Sequence, residues 1–472
     1  MPVDYRRTRG ARRWPSSGAV NPPSREAGAR RARTEASIRW REYRDRGVAA
    51  AWWRKLKRRV IARFSRLNAP VVYRWSPSHE GDAPANRLHR LAGELLAERS
   101  GTWAGRLWLR AKAMAWPIVA TAFAVPVWWR CAGHVRDHHG QSGAEQWRDL
   151  MDAVWRHGIF PTEYYSHRVF AGPARADKSK YLNEREIIAL LSAADEGVDT
   201  MRLDDVRRFY AECRAAGVRV PRTFALAREG EAELLHLASV TELPRRDLFL
   251  RPVDWRSGVD AESWRWSRRE QCWSRRGEAR DAEGMLERLR QLSRRSRSPM
   301  LMQECVSNHP EIARFAMGGL CSVRIATASD LDGVPRVLFA AMTMPGSDWN
   351  GVAPAAVGLT AGIDVASGRL LPAQGEFLVD GEFDVHPGTG ASIAGAPVPY
   401  WQNMVDLVLR AHARFADIPF VGWEVALTGS GLMILEATTN WGIFPHVLPA
   451  ETEFARLCLE RIERNRAERK PA

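Results

Sequence analysis

The chain has 472 residues, of which 45% are hydrophobic and 26% are charged, so it is long and apolar enough for two or three folded domains and is not disordered throughout. Its formal net charge of +15 indicates a negatively charged partner such as a nucleotide, nucleic acid, anionic lipid or acidic polysaccharide. The six cysteines form no CxxC pair and have no zinc-like spacing, which predicts free thiols in a reducing cytosol.

The N-terminal part of the chain is predicted to be basic and helical. Residues 1–35 are rich in Arg, Pro, Ser and Gly without periodicity, which predicts a disordered basic arm. Between residues 38 and 67, apolar positions recur at helical spacing among basic residues. More helical structure is expected from Asn86, as a cap, to Val135, so residues 36–144 are predicted to form a helical region. The apolar core of a secretory signal is lacking.

An apolar segment at residues 113–129 is the membrane candidate. It is short for a span, and Pro117 and Pro126 interrupt it. Two interpretations stay open: a pair of buried or interfacial helices, which the sequence favours, and a true span. Contact of the basic N-terminal region with an anionic membrane surface is the alternative to a solvated arm. The basic and tryptophan residues suited to a membrane interface are Arg110, Lys112, Trp116, Trp128, Trp129 and Arg130.

Residues 145–460 show the pattern of a folded enzyme, and a charged tail follows at 461–472. Helices that precede pairs of antiparallel strands predict an α+β architecture. Pro221 favours an edge position for the first strand. Helices are expected at residues 147–157, 184–194 with Asn183 as cap, 203–217, 282–295 and 400–415. Strands are expected at 218–226, 247–253, 299–306, 321–328, 336–343, 420–427 and 431–436, with a Trp-rich hairpin at 254–277.

The strongest chemical feature is the hairpin formed by residues 421–442. Glu424 and Glu436 lie on its two strands, and a register that pairs them would put both carboxylates on one side of the sheet. Asn440 follows after a short turn. Two carboxylates and an amide oxygen suit Mg²⁺, which prefers a few carboxylates together with phosphate oxygens. On spacing alone, two solvent-exposed glutamates remain the alternative.

This hairpin resembles the closing motif of ATP-grasp proteins, in which a Gly-Trp-acid sequence, here GWE at 422–424, precedes an apolar strand that ends in Glu. The nearest similarity is to the sugar-transfer-associated branch, which is related to α-L-glutamate ligases. The resemblance implies two α+β subdomains that clasp ATP and Mg²⁺. It implies Glu424 and Glu436 as metal ligands, with Asn440 or Thr438 as the third. Glu424 stands where the branch usually has Asp.

Weaker similarities continue in the same order across residues 145–455. They imply that Gln303 and Glu304 bind the adenosine part of the cofactor, and that Arg251 and Arg324 bind phosphates and act in catalysis. For Arg324, a structural ion pair is the alternative. The other matching stretches are residues 163–165, 181–183, 203–205, 217–221, 248–253, 309–311, 322–324, 350 and 361–368.

Three departures from the family pattern affect the expected phosphate site. Val206 and Arg251 stand at positions that are usually Lys, and the glycine-rich flap is reduced to residues 256–258. Arginine keeps the positive charge but grips phosphate oxygens as a planar fork, unlike the point charge of lysine. Fewer glycines allow the backbone less freedom to close over phosphates.

Two functions follow as hypotheses. The first is a cytoplasmic, or peripherally membrane-bound, ATP- and Mg-dependent ligase that joins a carboxylate to an amine or similar nucleophile through an acyl phosphate. Its substrate would be a carboxylate-bearing or sugar-linked molecule in a sugar-transfer or polysaccharide pathway. The second is a degenerate ATP-grasp module that binds a nucleotide without turnover. No motif for specific nucleic-acid binding occurs in the sequence.

Overall fold

A computed structural model describes residues 83–99, 101–171, 175–253, 261–296, 298–345, 358–375, 382–439 and 453–469. The expectations for residues 1–67, for the flap at 256–258, and for Asn350 and Asn440 lie outside these ranges. In the described part, a helical N-terminal region precedes two seven-stranded sheets, in which all the strand pairings are antiparallel. The predicted α+β class is confirmed.

The N-terminal region contains two helices between residues 84 and 139. Helix α1 (Pro84–Glu98) begins before Asn86, so that residue lies in the first turn and is not the cap. Helix α2 (Trp103–His139) starts at Thr102, whose side chain accepts a hydrogen bond from the N–H of Gly105 at 3.1 Å. Ser142 caps helix α3 (Gly143–His157) in a capping box, and α4 (Pro161–Ser166) follows.

The apolar segment 113–129 lies within α2, which continues through Pro117 and Pro126. The expected helix pair is therefore wrong. A proline removes one backbone hydrogen bond, but packing along one face maintains the helix. The indole N–H of Trp116 donates to the carbonyl of Val154 at 2.9 Å, and that of Trp128 donates to the carbonyl of Gly143 at 3.0 Å. Apolar side chains of α2, α3 and α4 form a shared core.

Helix α5 (Glu184–Ala194) confirms its prediction. The side chain of Asn183 accepts from the N–H of Glu186 at 3.0 Å, and the carboxylate of Glu186 accepts from the N–H of Asn183 at 2.8 Å. This reciprocal pair is a capping box. The expected helix at 203–217 is divided into α6 (Met201–Asp204) and α7 (Val206–Ala215), because Asp205 adopts extended backbone and caps α7.

The first sheet has the strand order β2-β1-β7-β3-β4-β5-β6. Helix α8 (Ala282–Ser296) packs on one face of this sheet. The strand expected at 218–226 begins only at residue 223, after Pro221, and lies between two other strands, so the edge position is wrong. The strands are β1 (Thr223–Arg228), β2 (Glu231–Leu234), β3 (Leu248–Pro252), β4 (Glu262–Ser267), β5 (Cys272–Arg275), β6 (Glu278–Arg280) and β7 (Met300–Glu304).

The second sheet has the order β12-β11-β10-β9-β8-β13-β14. Short helix α9 (Pro310–Ala313) precedes it, and α10 (Trp401–Arg414) packs on one face together with α7. Helices α1, α5 and α11 (Glu453–Arg469) cover part of the other face. The strands are β8 (Ser322–Ser329), β9 (Pro335–Pro345), β10 (Gly358–Asp364), β11 (Arg369–Gly375), β12 (Glu382–Phe383), β13 (Phe420–Thr428) and β14 (Gly431–Thr438).

A buried polar network lies between the second sheet and helix α10. The hydroxyl of Thr327 accepts from the indole N–H of Trp423 at 2.7 Å and lies 2.6 Å from Nδ1 of His412. Nε2 of His412 lies 2.9 Å from the carbonyl of Ile418, which can only accept, so Nε2 carries the proton and Nδ1 accepts. Burial lowers the pKa of His412 to about 4, which keeps this ring neutral at physiological pH.

Thr327→Val should destabilise the second sheet. The substitution keeps the shape but leaves Trp423 and His412 each with a buried polar atom lacking its partner, at a cost of about 2–3 kcal/mol. Thermal or urea unfolding should show the loss. Thr343→Val, at an exposed site on β9, is the matched control and should change the unfolding free energy little. Equal stability of the two variants would contradict this network.

Candidate functional site

Three charged residues lie in a row across the second sheet. Arg324 on β8 pairs with Glu424 on β13, and Glu424 pairs with Glu436 on β14. Directly opposed residues of antiparallel strands project from the same face. The structure therefore brings both glutamates to one side of the sheet, as the sequence required for a shared site. Neighbouring positions such as Trp423 and Val425 project into the apolar core on the opposite face.

Glu424 is held by two donors from β8. Nε of Arg324 donates to Oε2 of Glu424 at 2.9 Å, and the hydroxyl of Ser322 donates to Oε1. The Glu424 carboxylate raises the pKa of Arg324, and Glu436 adds to this effect. The structural ion pair that the sequence left open for Arg324 is therefore present. Ser322 belongs to the matching stretch 322–324, but the sequence assigned it no role in the site; its position two residues before Arg324 places it on the same face.

Arg251 connects the two sheets. It projects from β3 on the face opposite α8 and is only 4% exposed. Its Nε donates to Oε1 of Gln303 at 3.2 Å, and Nη2 donates to the hydroxyl of Tyr210 at 3.4 Å. Nη1 lies 3.6 Å from Oε2 of Glu436 on the second sheet. A buried guanidinium requires such partners because desolvation of an unpaired charge costs several kcal/mol.

Tyr210 supports this arrangement from helix α7. Its hydroxyl donates to the carbonyl of Leu435 at 2.9 Å. The pairing of β13 with β14 passes from Glu436 to Ile434 and skips Leu435, so a bulge leaves this carbonyl beside the site. Burial raises the pKa of Tyr210, so the phenol stays protonated and can donate. The sequence did not single out Tyr210, because nothing local marks a helical tyrosine as a partner of a distant bulge.

The predicted adenosine-binding residues, Gln303 and Glu304, are the last two residues of interior strand β7. β7 is paired with β1 through residue 303 and with β3 through residue 304, so its backbone takes part in the sheet on both sides. The side chain of Gln303 is directed at Arg251. The carboxylate of Glu304 accepts from the N–H of Arg222 at 3.0 Å and lies 3.6 Å from Nη1 of Arg246. The segment at 305–321, which includes α9, joins the two sheets.

Val206 stands at a position that the family resemblance assigns to lysine, so it supplies no cation to the site. It begins helix α7 and packs, partly buried, against the core of the second sheet. A lysine ammonium at this position would have to leave that apolar contact. Arg251 and Arg324 are therefore the predicted phosphate-binding cations that the structure places beside the glutamates.

The oxygen donors fit the chemistry of Mg²⁺. In the described ranges, no cluster of three or more His, Cys, Asp or Glu residues could hold a metal ion. The paired carboxylates of Glu424 and Glu436 nevertheless supply what Mg²⁺ commonly takes from a protein when phosphate oxygens provide the remainder. Thr438 follows two residues after Glu436 on the same strand and pairs with Gly422.

Two antiparallel sheets with helical layers, connected at the contact of Arg251 with Glu436, form an ATP-grasp fold. The chain belongs to the sugar-transfer associated ATP-grasp family, whose model matches residues 190–463. The family resemblance predicted from the closing hairpin is confirmed. No curated protein matches the chain significantly.

Similar solved structures include two ligases and a biotin carboxylase. The L-amino acid ligase from Bacillus licheniformis is 12% identical, with a TM-score of 0.28 over 54% of this chain and 46% of that one. The D-alanine-D-alanine ligase from Coxiella burnetii is 10% identical, with a TM-score of 0.31 over 57% and 60%. Biotin carboxylase from Campylobacter jejuni is 8% identical, with a TM-score of 0.33 over 58% and 48%. This chain thus spans about half the length of these proteins.

Tyr210→Phe should loosen the connection between the sheets. The variant leaves the Leu435 carbonyl without its donor and removes one acceptor from Arg251, which should lower the unfolding free energy by about 1–2 kcal/mol. Thermal unfolding measures the loss. Tyr400→Phe, at a half-exposed tyrosine before α10, provides the control and should unfold as the wild type does.

Proposed function

We propose that the protein is an ATP-dependent ligase that activates a carboxylate as an acyl phosphate. The observation that carries this proposal is the row of Arg324, Glu424 and Glu436 on one sheet, reached by Arg251 from the other sheet. This arrangement sets two carboxylates and two guanidinium groups at the junction of two subdomains. The guanidinium groups suit the phosphates of a metal-bound triphosphate, and the carboxylates suit its metal ion.

The arginines would bind phosphate oxygens in this proposal. Guanidinium groups form strong, charge-assisted hydrogen bonds with phosphate. Gln303 and Tyr210 orient Arg251, whereas Glu424 orients Arg324. Glu424 and Glu436, with Asn440 or Thr438, would hold Mg²⁺. When bound, this ion neutralises the triphosphate and the charge that develops as the phosphoryl group moves.

The proposed reaction has two steps. A substrate carboxylate oxygen attacks the γ-phosphorus of ATP, and the bond to the bridging oxygen breaks to release ADP. An amine, or a similar nucleophile, then attacks the acyl carbon, loses a proton and expels inorganic phosphate. Positioning and electrostatic stabilisation supply most of the catalysis in phosphoryl transfer, so no nucleophilic side chain is needed.

Family membership supports a carboxylate-bearing or sugar-linked substrate in a sugar-transfer or polysaccharide pathway. We place the reaction in the cytoplasm, where ATP is supplied.

A degenerate ATP-grasp module is the second candidate. Val206 removes one customary cation, and both predicted metal-binding carboxylates lie beside arginines. Such a module would bind a nucleotide without turnover. Titration calorimetry with ATP, with and without Mg²⁺, combined with a phosphate-release assay, separates the two functions. Release supports the ligase, whereas binding without release across candidate acids and amines supports the module.

Glu436→Ala should abolish Mg²⁺-dependent ATP turnover, and circular dichroism should show that the chain still folds, because Gln303 and Tyr210 continue to bind Arg251. The variant removes one predicted metal-binding carboxylate and leaves Arg251 without its acidic partner on β14. Turnover should fall at least about a hundredfold, because removal of transition-state charge stabilisation has effects of this size. Glu283→Ala, at an exposed glutamate early in α8, is the control. Full activity of Glu436→Ala would refute the assignment.

Substitutions of Arg251 test whether arginine replaces the customary lysine. Arg251→Met should weaken ATP binding about tenfold or more, because charge-assisted hydrogen bonds contribute about 1.5–3 kcal/mol each. Arg251→Lys keeps the cation and should retain most of the affinity. Calorimetric titration with ATP measures both. Equal, wild-type affinity in the two variants would show that Arg251 does not contact the nucleotide.

A further inference from the structure

Helix α2 has an apolar stripe on its outer face. The stripe consists of Leu107, Met114, Ile118, Val125 and Trp129, which are spaced by seven, four, seven and four residues. At about 100° of rotation per residue, this spacing keeps all five on one side of a helix. Ile118 is 78% exposed and Trp129 is 81% exposed. Large apolar side chains in a continuous row on a surface indicate a binding partner.

The inner face of α2 fixes the direction of this stripe. Trp116, Ala120, Ala124 and Val127 are buried against α3, α4 and the segment around them. These positions lie on roughly the opposite side of the helix from the stripe. The indole hydrogen bonds of Trp116 and Trp128 to the backbone around α3 set the rotation of α2 about its axis. The stripe therefore faces outward as part of a folded unit.

Positive charge accompanies the stripe. Arg110 borders the stripe and Arg136 continues its line toward the end of the helix, whereas Lys112 and Arg130 lie more than about 90° round the helix from it. The ammonium group of Lys112 lies 5.2 Å from the ring centre of Trp108, an exposed aromatic residue near the start of the helix. The basic residues of α2 are Arg106, Arg110, Lys112, Arg130 and Arg136, against the single acidic residue Asp137.

We propose that this outer face of α2 docks on an anionic phospholipid bilayer, with the helix parallel to the membrane plane. The apolar stripe would enter the boundary between headgroups and acyl chains, tryptophans would lie at headgroup depth, and the flanking cations would contact lipid phosphates. Charge complementarity selects this occupant, because the Lys, Arg, Asp and Glu residues of α2 are basic apart from Asp137, and Arg110 and Arg136 lie beside the stripe, which matches a negatively charged surface. The proposal is independent of the ligase chemistry.

The packing of α2 favours this orientation over a span. α2 is the one described helix that is long and apolar enough to cross a membrane, and 28% of its apolar window is buried. A span would carry α3 into hydrocarbon with its partner side chains. Asp149 of α3 binds the ammonium of Lys178 at 2.7 Å, and Asp152 lies 3.3 Å from the same group. Such charges are costly inside a bilayer.

Vesicle flotation of the full chain tests the proposal. Vesicles of phosphatidylcholine alone are compared with vesicles that also contain phosphatidylglycerol. The stripe variant combines Met114→Gln, Ile118→Gln and Trp129→Gln. The matched control makes three apolar-to-polar changes at exposed sites elsewhere, namely Met201→Gln, Leu331→Gln and Val334→Gln. Circular dichroism and ATP turnover are measured on both variants and should match the wild type.

The wild type and the control should float with the anionic vesicles, and the stripe variant should partition at least about tenfold more weakly. Equal flotation of all three proteins would assign binding to basic residues outside α2 and overturn the proposal. Absence of wild-type flotation would also overturn it. Concentration-dependent self-association that only the stripe variant loses, without vesicle binding, would instead identify a second copy as the occupant.

A labelling experiment distinguishes the in-plane orientation from a span. Two separate variants, Thr102→Cys and His138→Cys, each add one thiol near an end of α2. The parent chain measures the background labelling of the six native cysteines. A membrane-impermeant maleimide is added outside vesicles that carry bound protein. Reaction of both sites supports the in-plane helix. Protection of one end would show a span and refute the orientation.

Discussion

The buried charge of Arg251 is the constraint on which the junction of the two sheets depends. A guanidinium that is almost wholly removed from water must receive hydrogen-bond acceptors and a negative charge. Gln303, Tyr210 and Glu436 provide them from β7, α7 and β14. These elements belong to both halves of the ATP-grasp fold. Satisfying one cation therefore positions the two halves relative to each other and places the guanidinium beside the glutamates.

Strand register determines the rest of the site. A one-residue slip between β8, β13 and β14 would turn Glu424 into the apolar core and Trp423 into the site. The bulge at Leu435 is part of the same arrangement, because the carbonyl it leaves out of the ladder binds Tyr210. Arg251 stands where the family resemblance implies lysine, and the surrounding structure provides partners that suit a guanidinium. Its planar fork engages several fixed acceptors at once, which a lysine ammonium would meet with different geometry.

Helix α2 has a buried face and an exposed apolar face. Its inner face is tied to α3 and α4 by packing and by indole hydrogen bonds. Its outer face carries the apolar stripe, with Arg110 and Arg136 beside it. Neither face could be identified from hydropathy alone, because the helix is apolar on both sides. Pro117 and Pro126 suggested an interruption, yet packing along the inner face outweighs the loss of two backbone hydrogen bonds.

The sequence by itself determined the features that depend on neighbouring residues. Apolar periodicity and turn chemistry predicted the α+β class, Asn183 and Glu186 predicted the capped start of α5, and the Gly-rich turn predicted the hairpin of Glu424 and Glu436. Only tertiary structure decided the interior position of β1, the continuity of α2, and the contacts of Arg251 with Tyr210 and Gln303. Those depend on residues tens to hundreds of positions apart, whose proximity no local pattern encodes.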